Sequence, residues 1–590
     1  MSTLMWILVG VGAFWILATL LKMWDVLPDR FGVHGPLITI HTGAGRDVID
    51  RIASPKRFWR AWGNFGLGIA IVVMLGSLIF LIVVGISTVL NPPEPTPINQ
   101  PQNVLVIPGV NRFLPLSVAP EIILGLIIGL IVHEGGHGIL CRVEDIDIES
   151  LGLLFFTIIP AGAFVEPDER SQETASRGAK SRMFAAGVTN NFAITIVAFL
   201  LLFGPIIGAI SVVSGATIGG NVPNSPAERF DIGRGDVITK IEGKPIASND
   251  DLRQTLRRTP GETVSVTLQS GAKKIVPREV IVTGVIPNNP ADLKPGDRII
   301  SANGTNISTY HDLYQIAKQN TIISVTTAEG KTTTFPAGAL VFVNEGGPLA
   351  KAGAPITAIV ITSVEDTRIV TTNDLLQALQ HTDPGEQVTV TAYVNGSRHQ
   401  YVVTLGNDPD DSSGFLGVTT GAVGISGVLI NDLGVQFYPA GNYLSALGGT
   451  CERCPEFSLS FIERIFVSLQ FPLIGLAGGS AFPYNFAGFT GGIANFYTIT
   501  GPLSVLGSLV FLFANVLFWT GWININLAFF NCIPTFALDG GSMFRTAMEG
   551  ITARMPIGGG QQLAMTVTIA VQIVMLASLF LLLFGAQLLN

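Results

Sequence analysis

The sequence predicts a polytopic α-helical membrane protein with about six transmembrane helices and an inserted α/β tandem of small domains. Three observations carry that prediction. Of 590 residues, 48% are hydrophobic and 13% charged, with a mean hydropathy of +0.50, and the apolar residues gather in uncharged runs of bilayer-spanning length. Between about 214 and 406 those runs shorten to strand length, and a motif recurs: Asp251-Leu252-x-Gln254, Asp312-Leu313-x-Gln315 and Asp374-Leu375-x-Gln377 stand 61 and 62 residues apart. Finally, His133-Glu134-Gly135-Gly136-His137 sits in an apolar segment, Ile122 to Leu140, where ionisable groups are costly to place. A net charge of −8 over this length argues against a nucleic-acid partner, and four cysteines are too few for a disulfide framework. Cys141 and Cys532 fall in apolar segments and read as packed thiols. Cys451 and Cys454 form a C-x-x-C compatible with zinc, a local disulfide or free thiols.

Taken in order, Leu4 to Leu21 is uncharged and reads as an uncleaved first span. Lys22 to Asn64 reads as a loop and holds seven basic residues, among them Arg46, Arg51 and Lys56. Phe65 to Leu90 is the second span. Asn91 to Pro120 is Pro-rich, with Glu94 and Arg112 its charged residues. The basic excess places Lys22 to Asn64 in the cytoplasm and Asn91 to Pro120 outside, so the histidine-bearing third span runs inward. Leu151 to Val165, broken by Pro160 and Gly162, is too short and irregular for a span and reads as a membrane-dipping hairpin. Met183 to about Val213 returns outward and closes an N-terminal membrane region over 1–213. Three domains are expected at 214–282, 283–337 and 338–406. Gly235-Asp236 and Gly296-Asp297 mark the first two, and the third has no such pair. A linker over 407–455 and a C-terminal membrane region over 456–590 follow. There Phe457 to Leu476 is expected to lie in the interface, anchored by Glu463 and Arg464. Ser480 to Pro502 is expected as a loop at the membrane edge, with Val510 to Ile533 and Leu563 to Leu589 as spans.

The chemistry concentrates on few residues. Histidines four apart share a helix face, so His133 and His137 can hold one metal ion, with Glu134 beside them as a base for water. Asp539, in Asn531-Cys-Ile-Pro534 and on to Leu538-Asp539-Gly540-Gly541, offers a third ligand. A His/His/Asp set with the fourth position open is the arrangement of a catalytic zinc.

With these motifs the chain resembles the site-2 protease family of zinc intramembrane metalloproteases. His133 to His137, Gly162-Ala163-Phe164-Val165, Gly187 to Asn191 and Asn531 to Gly541 each match one of its motifs in order. The repeats resemble PDZ domains, best in "NSPAERFDIGRGDVITKIEGKPI" and more weakly in the third unit. The resemblance implies Zn2+ held by His133, His137 and Asp539, with Glu134 as general base. It implies that Asn191, or its neighbour Asn190, donates a hydrogen bond to the substrate carbonyl. Gly162, Ala163, Phe164, Val165, Asn531 and Pro534 would contact substrate. The implied partners are single-span membrane-anchored proteins and membrane lipid, and the PDZ-like domains would bind peptide tails or act as spacers. The implied location is the cell membrane, with the PDZ-like region outside and the active site in the cytoplasmic half of the bilayer. A membrane scaffold with a purely structural metal is the alternative.

Overall fold

The structure is a computed structural model. It describes residues 3–589 except 29, 44, 97–98, 105, 112–113, 158, 287, 408–412, 421–423, 451–458, 474–484, 537 and 557–558. Cys451 and Cys454 therefore lie outside the described residues. The chain forms two compact units, one of Met1–Gly204 with Leu512–Asn590 and one of Pro205–Phe511.

The first unit holds helices α1 (Thr3–Met23), α2 (Arg46–Ala53), α3 (Lys56–Leu90), α4 (Ala119–Val143), α5 (Arg177–Leu201), α6 (Leu509–Asn531), α7 (Asp539–Thr552) and α8 (Gly560–Leu588). Among the described residues five segments are long and apolar enough to cross a membrane: Lys56–Leu90, Leu116–Val143, Arg177–Ala209, Leu509–Asn531 and Gly560–Leu588. The first expected span falls on α1, where Val9–Met23 counts as a shorter apolar helix. Small residues let these helices approach closely, as expected where lipid removes the hydrophobic drive to associate. A Cβ on Gly125 of α4 would come within 3.0 Å of the Thr520 backbone of α6. Just past α4, the buried Glu144 carboxylate pairs with Arg182 of α5 at 2.9 Å and Arg60 of α3 at 3.3 Å, so one acid ties three helices together.

Beside the helices lies a four-stranded antiparallel sheet in the order β1 (Phe31–His34), β2 (Leu37–Thr42), β3 (Ile148–Phe156), β4 (Ile159–Pro167). The segment expected as an irregular hairpin is a β-hairpin, with Leu151 opposite Val165 and Leu153 opposite Ala163 and register shifts between Ile148 and Ser150 and between Leu154 and Phe155. The sheet corrects one expectation. The basic stretch expected as a loop supplies β2, with Ile38 opposite Phe155. Apolar backbone must bond its peptide groups internally, and pairing with β2 does so for β3. β4 ends the sheet, with β3 as its strand partner among the described residues.

The second unit repeats one architecture three times. β5 (Ala216–Asn221), β6 (Val237–Ile241), β7 (Thr263–Leu268) and β8 (Lys273–Pro277) form the first set. β9 (Val280–Val285), β10 (Arg298–Ala302), β11 (Ile322–Thr327) and β12 (Thr332–Pro336) form the second. β13 (Ala339–Val343), β14 (Ala358–Val364), β15 (Gln387–Val394) and β16 (Ser397–Thr404) form the third. Between the second and third strand of each set stands a helix: Asn249–Arg258, Tyr310–Gln319 or Thr372–Leu379. These helices explain the recurring Asp-Leu. Asp251, Asp312 and Asp374 sit at the third helical position, and their carboxylates accept backbone N–H bonds from Ala247, Thr309 and Thr371. Leu252, Leu313 and Leu375 are buried in the three separate cores. The third unit, without a Gly-Asp pair, has the same sheet as the others.

The expected linker over 407–455 is corrected as well. It runs back along the repeats and gives each sheet its last strand. β17 (Val418–Thr420) pairs with β13, β18 (Val428–Asn431) with β9, and β19 (Val435–Phe437) with β5. Each is preceded by a glycine in the left-handed region, Gly417 (φ 74°), Gly427 (φ 81°) and Gly434 (φ 73°). Leu416, Val428 and Leu433 belong to the third, second and first cores. Within this segment Asp432 is fully buried against Arg278, which also donates to Leu256 O, while Asp432 accepts from Tyr310 N–H. The expected interfacial segment appears as a helix over Phe461–Gln470. Glu463 closes its capping box and Arg464 donates to Leu447 O, so both expected anchors are engaged within the protein.

Candidate metal centre

One turn of α4 sets His133 and His137 on the same face. Their Nε2 atoms lie 3.2 Å apart, and Asp539 Oδ2 lies 3.2 Å from each. Asp539 opens α7, while α6 stops at Asn531, two residues short of the span expected to end at Ile533. A helix N-terminus favours a carboxylate. Gly540 and Gly541 make the approach possible: a Cβ on Gly540 would lie 2.4 Å from Cys532 O, and one on Gly541 would lie 2.1 Å from Thr535 O.

Three donors this close fit one cation. Zinc binds His nitrogen at about 2.0–2.1 Å, and a tetrahedron of that size spaces its ligands about 3.3 Å apart. The remaining imidazole nitrogens determine which tautomer faces inward. His137 Nδ1 lies 2.8 Å from Met183 O, a carbonyl that can only accept, so Nδ1 carries the proton and Nε2 presents its lone pair. His133 Nδ1 lies 3.1 Å from the amide of Asn191. Between these contacts on α5, a Cβ on Gly187 would lie 2.6 Å from both His133 Cε1 and His137 Nε2. Met183, Gly187 and Asn191, four apart, thus form one stripe of α5 that orients and accommodates the two imidazoles.

Glu134, next to His133 on α4, is anchored to the sheet. Its Oε2 accepts the Val165 N–H of β4 at 2.9 Å. It lines a cavity of 610 Å³ whose walls include Leu151, Leu153, Phe164, Val165 and Asn190. Of the expected substrate contacts, Ala163, Phe164 and Val165 line this cavity, and Gly162 lies on the same strand opposite Leu154. Asn531 folds back on its own helix, donating to Leu527 O at 3.0 Å, and Pro534 is buried between α6 and α7. Asn191 is completely buried. Asn190, its competitor, is the one at the cavity wall. It accepts from Trp62 Nε1 at 2.9 Å and donates to Val132 O at 3.3 Å. Sequence reasoning missed Trp62, hidden in a stretch read as a basic loop, and Met183, whose contribution is a carbonyl with no residue signature. Cys141 and Cys532 are buried free thiols, as expected.

Comparison with known proteins gives the chain its relatives. The model of Peptidase family M50 matches residues 121–575, more than half of the chain. A candidate zinc metalloprotease of Clostridium perfringens is 27% identical over 168 residues, covering 24% of this chain and 48% of its own length. An uncharacterized protein of Methanocaldococcus jannaschii is 27% identical over 256 residues, 43% of this chain and 64% of its own length. The zinc metalloprotease RasP of Oceanobacillus iheyensis is 29% identical over 119 residues, 20% of this chain and 27% of its own length. The chain thus spans from about a quarter to under two thirds of the length of these relatives.

Proposed function

The chain belongs to peptidase family M50, and on that premise we propose that it is a zinc metalloprotease that cuts membrane-anchored proteins within or beside their transmembrane segment. The observation that carries the reading is the convergence of His133, His137 and Asp539 one residue away from a carboxylate, Glu134, that lines an apolar cavity. Zinc, when bound by these three residues, supplies a Lewis acid for the scissile carbonyl and lowers the pKa of water. The rest of the chemistry belongs to the chain. Glu134 is held through Oε2 by β4, leaving its other oxygen to take a proton from the attacking water and pass it to the departing amine. A transmembrane helix hides its carbonyls in its own hydrogen bonds, so the substrate must be drawn out as a strand. The outer edge of β4, beside the cavity, is suited to accept it. The apolar walls favour an apolar substrate segment.

The three repeats, in this reading, are PDZ-like modules that take peptide tails by strand addition or filter what reaches the membrane unit. The basic residues between α1 and α3 favour a cytoplasmic position for that face of the membrane unit and an outside position for the repeats. The test uses the purified full chain beside Glu134→Gln, with single-span substrates in detergent. We expect about one zinc in both proteins and cleavage within the apolar segment by the parent, slowed at least about 10³-fold in the variant. Zinc in both with no cleavage in either, across several substrates, would favour the scaffold with a structural metal.

A further inference from the structure

We propose that the two adjacent asparagines of α5 divide the work of the site: Asn191 positions His133 for the metal, which leaves to Asn190 the donation to the scissile carbonyl that the family resemblance implies for one of the two. The Asn190 half rests on the protease reading above, and the Asn191 half stands on metal binding alone.

Asn191 has no surface to offer a substrate, being completely buried. Its amide nitrogen lies 3.1 Å from His133 Nδ1, while its Oδ1 is buried with no hydrogen-bond partner. If the amide donated to Nδ1, the proton of His133 would sit on Nε2, the atom 3.2 Å from both His137 Nε2 and Asp539 Oδ2. No lone pair would then face the cation. Turning the amide over, which exchanges two atoms of nearly the same shape, returns the lone pair of Nε2 to the cation. Oδ1 then accepts Nδ1–H and Nε2 is free to ligate, the relation His137 already has with Met183 O. Asn191 is therefore a positioning residue.

Asn190 lies about 100° further round α5, at the cavity wall with Glu134. Its orientation is fixed by chemistry, because the indole N–H of Trp62 is a donor only and so must meet Oδ1. The NH2 group is thereby turned the other way. One of its hydrogens goes to Val132 O at 3.3 Å, and the second is left for the cavity. Apart from Glu134 and Thr42, the other side chains lining that cavity are apolar or glycine. An amide donor held from behind among apolar side chains is suited to a developing oxyanion, since nothing needs to reorganise as charge builds.

The test separates the pair in the full-length protein. Metal affinity is read by chelator competition without substrate, and kcat and KM on a single-span substrate. Asn190→Ala should keep parental metal affinity and lose about 10²–10³-fold in kcat with KM little changed. Trp62→Phe should lose less, in the same parameter. Asn191→Ala should bind metal about 10–100-fold more weakly and shift the absorption of the cobalt-loaded protein. Asn191→Asp, whose carboxylate also accepts Nδ1–H, should restore both. Parental metal affinity in Asn191→Ala with kcat lost would overturn its positioning role. Parental kcat in Asn190→Ala would overturn the donor role. A parent that binds zinc but cleaves nothing would remove the protease reading and the Asn190 assignment with it, leaving the metal arm to decide Asn191.

Discussion

Gly187 shows what a single residue contributes here. Its lack of a side chain is what allows both imidazoles to lie against α5, 2.6 Å from where a Cβ would stand. Gly187→Ala should therefore push the rings apart and weaken zinc binding by at least about 10-fold, measured by chelator competition, with helical content by circular dichroism unchanged. The residues of the centre were legible in the sequence because histidine, glutamate and aspartate are rare in apolar segments, and each one there asks for a reason. Their supports were not. Met183 acts through a carbonyl that every residue possesses, and Trp62 reaches Asn190 from a different helix. Choosing between Asn190 and Asn191 required the facing of α5, which two consecutive identical residues cannot reveal.

At the level of the element, periodic signals were read well and pairing was not. The recurring Asp-Leu marked three helix starts, because a cap and a buried leucine are both local demands. Asp312 carries this to a pH dependence. Partial burial pushes its carboxyl up, but bonds from Ser308 and Thr309 outweigh that and hold it below the usual carboxylate value. A carboxyl lowered on folding adds stability above its unfolded pKa of about 3.9 and loses it as pH falls through the folded value. Asp312→Asn should cost about 1 kcal/mol at pH 7 and nothing below about pH 2, read as hydrogen exchange of the amides of Leu313 to Ala317. The four-stranded sheet was illegible for the opposite reason. β2 and β3 are separated by more than 100 residues, and the alternation in β2 stands between charged stretches that suggested a loop.

Across the whole molecule, the return segment is the main feature that sequence reading did not anticipate. Strands of three and four residues carry little periodicity, and the glycine before each reads as linker composition until its partner is seen. The buried pair in this segment gives a prediction. Asp432→Ala leaves the Arg278 guanidinium uncompensated in a dry interior, and the second unit should lose about 3–5 kcal/mol, measured by denaturant unfolding of the repeats. The double replacement Arg278→Met with Asp432→Leu should recover most of that loss. The same winding also constrains synthesis. In the first repeat β5 ends at Asn221 and β19 begins at Val435, so the 213 residues of 222–434 separate the first strand of that sheet from its last. At about 5–20 residues per second, some 10–40 s pass on the ribosome with that sheet open. Closure is ordered as well, because β17 emerges before β18 and β18 before β19. The domain made last is sealed first, and the domain made first waits with an unpaired β5 edge for the remainder of the array to be translated.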